Sequence, residues 1–379
     1  MPRNWNFELP TRLEFGRGNL RRLGAMAEPL GRSALVVGYD DIAAMEDVYA
    51  RAAEVLKKSG VEVHEFFRVS PDPKATVAEE GADAARQAGA EMIIGLGGGS
   101  VLDAAKGIAA LVSSGGSPWD YTQANPECRA LKKALPIIAV PTTAGTGAEV
   151  TSFAVFTHEA ADTGLDFPLK ASIFDPAIYP RVAVIDPDLA VGSPPRLTAG
   201  CGADSLGHAL EACLSRGGNP MTAALGAHAG ELLLDNLAAA VRNPDDAKLR
   251  EPLAVAAMLA GVAFGTAGVT AAHSIAQALG ALLHLPHGEA VAVALPPCLK
   301  FNAEKDAGKM SAFPSAERVA ELFDQIGLPR RAPNPSGEKA EELAERIADM
   351  AVACEPMPIK LNPRKINRDQ LLELIAAML

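Results

Sequence analysis

The hydrophobic pattern of this chain changes period once, near residue 190, and that change limits the folds open to it. Before it, short apolar runs alternate with helical stretches. Ser33–Gly38, Val61–Phe67, Glu91–Leu96, Pro136–Val140 and Val182–Asp186 read as strands, and Ile42–Ser59, Ala75–Ala88 and Ser100–Val112 as helices. Such alternation implies an α/β domain with a mostly parallel sheet covered on both faces. From Leu197 onward the segments are long, Ala- and Leu-rich and helical. Ala316–Ile326 follows Ser315 and stops at Gly327, and Asn367 with Gln370 forms a capping box for the last helix. The turn-rich stretch Asp186–Pro195 marks the boundary, so the expectation is an α/β domain over 1–190 and an all-α domain over 191–379.

Composition removes several function classes. Of the 379 residues, 49% are hydrophobic and 21% charged, which excludes a disordered chain. The net charge of −11, with no basic stripe, argues against nucleic-acid and anionic-membrane partners. Five cysteines without a CxxC pair argue against a disulfide framework or zinc knuckle and for a reducing, cytoplasmic setting. The N-terminus lacks an apolar signal core. Residues 252–288 carry no Asp, Glu, Lys or Arg, but His273, Gln277, His284 and His287 fall inside this stretch. Polar groups of that kind are costly in lipid, so the segment reads as buried helical core and no membrane partner is expected.

Two loops sit where a strand ends. In Gly95-Leu-Gly-Gly-Gly-Ser100, successive glycines allow close backbone approach, and the following helix presents free N–H groups to a phosphate. The sixth position is Ser100 rather than Gly, so the usual dinucleotide fingerprint fails. Ser100 and Asp103 are expected to cap the helix. The second loop, Pro141 to Glu149, carries Thr142, Thr143 and Thr146 with two glycines, which suits a polar ligand at the carboxyl edge of the sheet.

A metal-ligand pattern lies in the helical half. Asp204 and His208 are spaced i, i+4 and share one helix face. His273 lies on a later helix, and His287 follows the break at Leu285-Pro286, so a helix and its exit loop are expected to supply the other two ligands. Three imidazoles and a carboxylate suit Fe²⁺ or Zn²⁺ better than Mg²⁺ or Ca²⁺. An unpaired Asp204 in so apolar a segment would be costly to bury. His284 competes with this set by spacing, whereas His64, His158 and His228 lack partners and read as structural.

With these residues in place, the chain resembles the iron-containing (group III) alcohol dehydrogenase family. Four motifs recur in order over nearly the whole length: GGGSVLDAAK at 97–106, PTTAGTGAE at 141–149, the Asp204/His208 helix and the His273/His287 pair. The resemblance implies an α/β N-terminal dinucleotide-binding domain and an all-helical metal-binding catalytic domain. It implies metal ligands at Asp204, His208, His273 and His287, phosphate contacts from Gly98, Gly99 and Ser100, and cofactor contacts from Thr142, Thr143, Thr146 and Lys170. Asp103 matches an acidic position and is expected near the ribose or carboxamide, since a carboxylate repels phosphate. The implied reaction is hydride transfer between NAD or NADP and a small alcohol or aldehyde held at Fe²⁺ or Zn²⁺, in a homodimer or larger assembly.

The chain also departs from the family pattern. Gln277 stands where many members have a second histidine, four residues after the His273 position, and it cannot relay a proton by titrating. Ala148 replaces a common serine. Tyr39 takes a slot that is often aspartate, with Asp40 and Asp41 next; a carboxylate there binds ribose hydroxyls and repels a 2′-phosphate, which favours NAD. Maleylacetate-reductase-like or dehydroquinate-synthase-like chemistry is the alternative within the same superfamily. The scarcity of basic residues in the metal segments favours a neutral alcohol or aldehyde.

Overall fold

The computed structural model describes residues 4–41, 43–164, 168–304, 314–334, 337–354 and 356–379. The chain divides into two compact units. One comprises Leu9–Thr143 and Gly147–Val191; the other comprises Gly192–Leu379 with Met1–Glu8 and Ala144–Thr146.

The first unit is built on six parallel strands: β1 (Arg12–Phe15), β2 (Ser33–Tyr39), β3 (Glu62–Val69), β4 (Met92–Gly97), β5 (Ile137–Pro141) and, after the β6/β7 hairpin described below, β8 (Val182–Ile185). Their order is β1-β8-β5-β4-β2-β3, with every pairing parallel. Both faces are covered, which explains why SALVVG, MIIGLG and IIAVP are nearly continuous apolar runs. Side chains alternate across the sheet. Leu35, Val37 and Ile93 pack with Ala78 of α3 (Ala75–Gln87) and Ile108 of α4 (Gly99–Ser114). Val36, Ile94 and Leu96 face Leu23 of α1 (Leu23–Ala27) and Leu56 of α2 (Glu46–Lys58). The helix expected from Ile42 begins at Glu46, and Ile42 itself lies outside the described residues.

Strands β2 and β4 are neighbours whose onward connections run in opposite directions, β2 to β3 and β4 to β5, so their carboxyl ends flank a topological switch point. The glycine turn at the end of β4 stands there.

Three strands escaped the period-two reading. One is β1, the edge of the main sheet. The others are β6 (Phe153–His158) and β7 (Leu169–Phe174), an antiparallel pair joined through the short α5 (Ala160–Thr163). The pair is tied to α4 by a buried charge network. Lys106 is wholly buried; its Nζ donates to the Phe153 carbonyl at 2.6 Å and to Thr151 Oγ1 at 3.3 Å, and lies 4.0 Å from Asp103 Oδ1. Asp103 accepts the Val155 N–H at 3.1 Å. Burial lowers the Lys106 pKa to about 8 against the pull of Asp103 and Glu149. It raises Asp103 to about 6 and Glu149 to about 7.

The second unit is helical: α6 (Pro195–Leu214), α7 (Pro220–Arg242), α8 (Ala247–Ala267), α9 (Ala271–Leu283) and α10 (His287–Ala303), followed by helices over Ala316–Gln325, Ala340–Cys354, Pro356–Leu361 and Arg368–Ala376. The capping box at Asn367 forms as the spacing predicts, each residue of the pair bonding the backbone N–H of the other. Helix α8 is long and apolar enough to cross a membrane, but half of that stretch is buried against its neighbours. The break at Pro286 is sharper than expected. His284 ends α9 in a left-handed conformation (φ 54°), and His287 is the first residue of α10 rather than part of a loop. Helices α6 and α10 touch backbone to backbone: a Cβ on Gly288 would stand 2.1 Å from the Gly200 carbonyl oxygen. Arg196 bridges to Glu289 at 2.5 Å beside this contact.

Two outcomes follow for stability. Gly288→Ala forces α6 and α10 apart and is expected to lower unfolding free energy by about 1–3 kcal/mol in urea titrations. Lys106→Met leaves Asp103 and Glu149 buried without their cation and is expected to cost about 3 kcal/mol by the same measurement.

Candidate metal centre and glycine turn

The i, i+4 spacing on α6 brings Asp204 and His208 to one face, and α9 and α10 bring two more imidazoles to the same carboxylate oxygen. Asp204 Oδ1 lies 3.3 Å from His273 Nε2, 3.3 Å from His287 Nε2 and 3.6 Å from His208 Nε2. Asp204, His208 and His273 are all buried, and their ligand atoms lie within 4.8 Å of one another. Nitrogen and oxygen ligands about 2.0–2.1 Å from a tetrahedral ion stand about 3.3 Å apart, so the donor spacing fits a first-row divalent metal. His284 is exposed at its helix end, outside this group.

The elements around the set fix its orientation. Gly207 leaves room for an imidazole: a Cβ there would sit 3.0 Å from His273 Cε1. Phe264 of α8 stacks on the His208 ring with centroids 4.0 Å apart. Glu211, one turn after His208, takes His273 Nδ1 in a short hydrogen bond and accepts the Thr270 N–H at 2.9 Å and its hydroxyl at 2.5 Å. With Nδ1 held by Glu211, Nε2 is the His273 ring nitrogen that faces Asp204.

Electrostatics agree with this geometry. Burial opposes charge on Asp204, but His208, His287 and His273 outweigh it and hold the carboxyl well below its ordinary range. Burial, with His273 and His287 adding to it against Asp204, lowers His208 to about 4 and keeps that ring neutral. Burial also works against a charged His273, yet Glu211 and Asp204 hold it up at about 10. His208 Nδ1 and Gln277 Oε1 are buried with no hydrogen-bond partner among the described residues.

Glu211 was missed in the sequence reading, although Asp204, His208 and Glu211 are spaced i, i+4, i+7, a single helix face. Thr270 and Phe264 carry no comparable signal, because helix packing alone brings them in.

At the glycine turn, α4 starts at Gly99 with Gly98 as an extended N-cap and no side-chain cap. The expected cap by Ser100 and Asp103 does not form; Asp103 is drawn instead to Val155 N–H and Lys106. The Gly98 N–H donates to the Tyr39 hydroxyl at 3.1 Å, so Tyr39 spans from β2 to the turn. The N–H groups of Gly99 and Ser100 open the helix, where no intrahelical acceptor exists. Thr142 N–H donates to the Gly97 carbonyl at 3.0 Å, and a Cβ on Gly98 would stand 3.1 Å from Thr143 Oγ1. The threonine loop therefore lines the turn at Thr142 and Thr143, while Thr146 belongs to the helical unit. Asp40 is exposed and accepts the Asp41 N–H. Lys170 pairs with Asp72 at 2.7 Å.

Known proteins share this arrangement of halves. The family profile described as iron-containing alcohol dehydrogenase matches residues 10–187, and that of the Fe-containing alcohol dehydrogenase family, C-terminal, matches 198–379. The NAD-dependent methanol dehydrogenase of Bacillus methanolicus is 33% identical over 90% of this chain and 84% of its own. The NADPH-dependent butanol dehydrogenase of Clostridium saccharobutylicum is 33% identical over 91% of this chain and 82% of its own. The crystal structure of an archaeal halo-thermophilic Red Sea brine pool alcohol dehydrogenase superposes with a TM-score of 0.91 at 27% identity, covering 100% of both chains. Profile matches over both halves, whole-length relatives and a shared fold lead to one conclusion: the chain belongs to the iron-containing alcohol dehydrogenase family.

Proposed function

We propose that this protein is a metal-dependent, NAD(P)-linked dehydrogenase that interconverts small alcohols and aldehydes. The observation that carries this reading is the convergence of three imidazole nitrogens on one buried carboxylate oxygen, with Glu211 orienting the central ring. Asp204, His208, His273 and His287 would hold the metal, with Fe²⁺ and Zn²⁺ both suited to the set. Gly99 and Ser100 would offer N–H groups to the cofactor pyrophosphate, Gly98 would stand behind them, and Thr142, Thr143, Thr146, Lys170 and Asp40 would contact the rest of the cofactor. Asp103 is assigned to positioning α4 rather than to the cofactor, on the strength of its bond to Val155. When bound, the metal supplies Lewis-acid polarisation of the substrate oxygen and the nicotinamide carries the hydride.

The remaining work falls to this chain's own side chains. Asp204 offsets cationic charge inside an apolar helix bundle. Glu211 keeps His273 in one tautomer, and the Phe264 ring shields His208 from water. Gln277 cannot take the proton that alcohol oxidation releases, so that proton must leave by another route. Relatives bearing both NAD and NADPH in their names support either cofactor; the exposed Asp40 beside Tyr39 favours NAD. The maleylacetate-reductase-like and dehydroquinate-synthase-like alternatives are not favoured, since the relatives reported above bear alcohol dehydrogenase names. A cytoplasmic enzyme that assembles as a homodimer or larger, with the edge strand β1 as the meeting surface, completes the reading.

The test is oxidation of NADH and NADPH with short aldehydes, using metal-stripped protein and the same protein resupplied anaerobically with Fe²⁺ or Zn²⁺. Turnover is expected only after resupply. In His273→Ala and Asp204→Ala both retained metal and turnover should be lost; full turnover by a metal-free variant would sink the assignment. Glu211→Gln is expected to weaken metal binding about tenfold to a hundredfold, read by chelator competition, with activity recovering at high metal.

A further inference from the structure

Gln277 is 9% exposed, and its Oε1 is sealed from solvent with no hydrogen-bond partner among the described residues. A buried amide oxygen without a donor is costly to keep, and packing does not require one here. Ala276, Ala278 and Leu279 around it on α9 are fully buried apolar residues.

The helix geometry sets where this amide lies. Gln277 follows His273 by four residues, so the two share one face of α9, a turn apart. Contacts across the centre give the direction. Glu211 of α6 reaches Thr270 and His273, and Asp204, two turns earlier on α6, reaches His273. Moving back along α6 therefore moves forward along α9, and the Gln277 turn falls toward the Gly200 end of α6. At that end α6 and α10 meet as bare backbone, Gly200 against Gly288. His287, which opens α10 there, is 34% exposed, whereas the Asp204, His208 and His273 side chains are 5%, 8% and 3% exposed. The centre is thus most exposed at His287, at the end of α6 toward which the Gln277 turn runs.

We propose that Gln277 is a specificity-determining residue whose amide binds a second hydroxyl of the substrate. The preferred substrates are then small alcohols or aldehydes that carry a hydroxyl beyond the reacting carbon. A hydroxyl suits the amide in either orientation, donating to its oxygen or accepting from its NH₂. A plain alkyl chain leaves the amide oxygen unpaired, and a carboxylate cannot donate to that oxygen as a hydroxyl can. This assignment rests on the reading of Asp204, His208, His273 and His287 as the centre where the reacting oxygen is held.

The experiment compares 1,2-propanediol and 1,3-propanediol with 1-propanol in wild type and Gln277→Met, all metal-loaded. One readout is the ratio of kcat/KM values. The other is binding by calorimetry without cofactor, which needs no turnover. Wild type should favour one diol over 1-propanol about tenfold in both readouts, and Gln277→Met should bring the ratio near one. Equal handling of diols and 1-propanol by wild type overturns the proposal, whether or not the variant folds. So does a diol preference that survives in Gln277→Met. Gln277-dependent diol binding without turnover of any alcohol would leave Gln277 standing as a hydroxyl-binding residue and overturn the dehydrogenase reading instead.

Discussion

A carboxylate taken out of water needs compensation, and the helical half of this protein is arranged around that need. Asp204 sits in a segment with almost no other charge, where burying it alone would be prohibitive. Its compensation is drawn from three helices, and each contribution makes a demand on the sequence. His208 needs a partner four residues away. His273 needs α9 to run past α6 with no side chain at Gly207 in the way. His287 needs α10 to start where Gly200 and Gly288 let two backbones touch. Glu211 adds a second buried carboxylate, which Thr270 and His273 satisfy. The same arrangement that makes the burial tolerable aims donors at one point, so the structural solution and the metal-binding solution coincide.

The α/β unit holds a second buried charge set with a different task. Lys106 and Asp103 come from the motif that carries the glycine turn and Glu149 from the threonine loop, yet they interact with each other and with the β6 segment. They join α4, which carries the turn, to the hairpin beside it. Motif residues that look like ligand contacts in one dimension thus act as fasteners in three. Tyr39 has a similar part: its hydroxyl takes the Gly98 N–H and braces the turn from the neighbouring strand.

Much of this was legible in the residues. The change of period near 190 separated the α/β half from the helical half, because covered parallel strands and amphipathic helices have different repeats. Asp204 and His208 were readable because helix geometry alone places them together, and the same spacing would have exposed Glu211. Strands β6 and β7 were not readable. Their hairpin gains its stability from packing on α4 and from Lys106, which no local pattern records. The capping role expected of Asp103 failed for a related reason: a long-range N–H from Val155 competed with the local one and prevailed.

By itself, then, the sequence determined the two halves, the helix starts at Asn367 and Ser315, and the residue types able to bind a divalent metal. These are consequences of local periodicity and of side-chain chemistry. Only the tertiary structure decided which of the histidines between 273 and 287 meet Asp204. It excluded His284 by turning it outward at a left-handed helix end, and it brought in His287 by starting α10 there. The reason is physical: a ligand set is a matter of distances between helices, and those are set by the glycine contacts that let the helices approach.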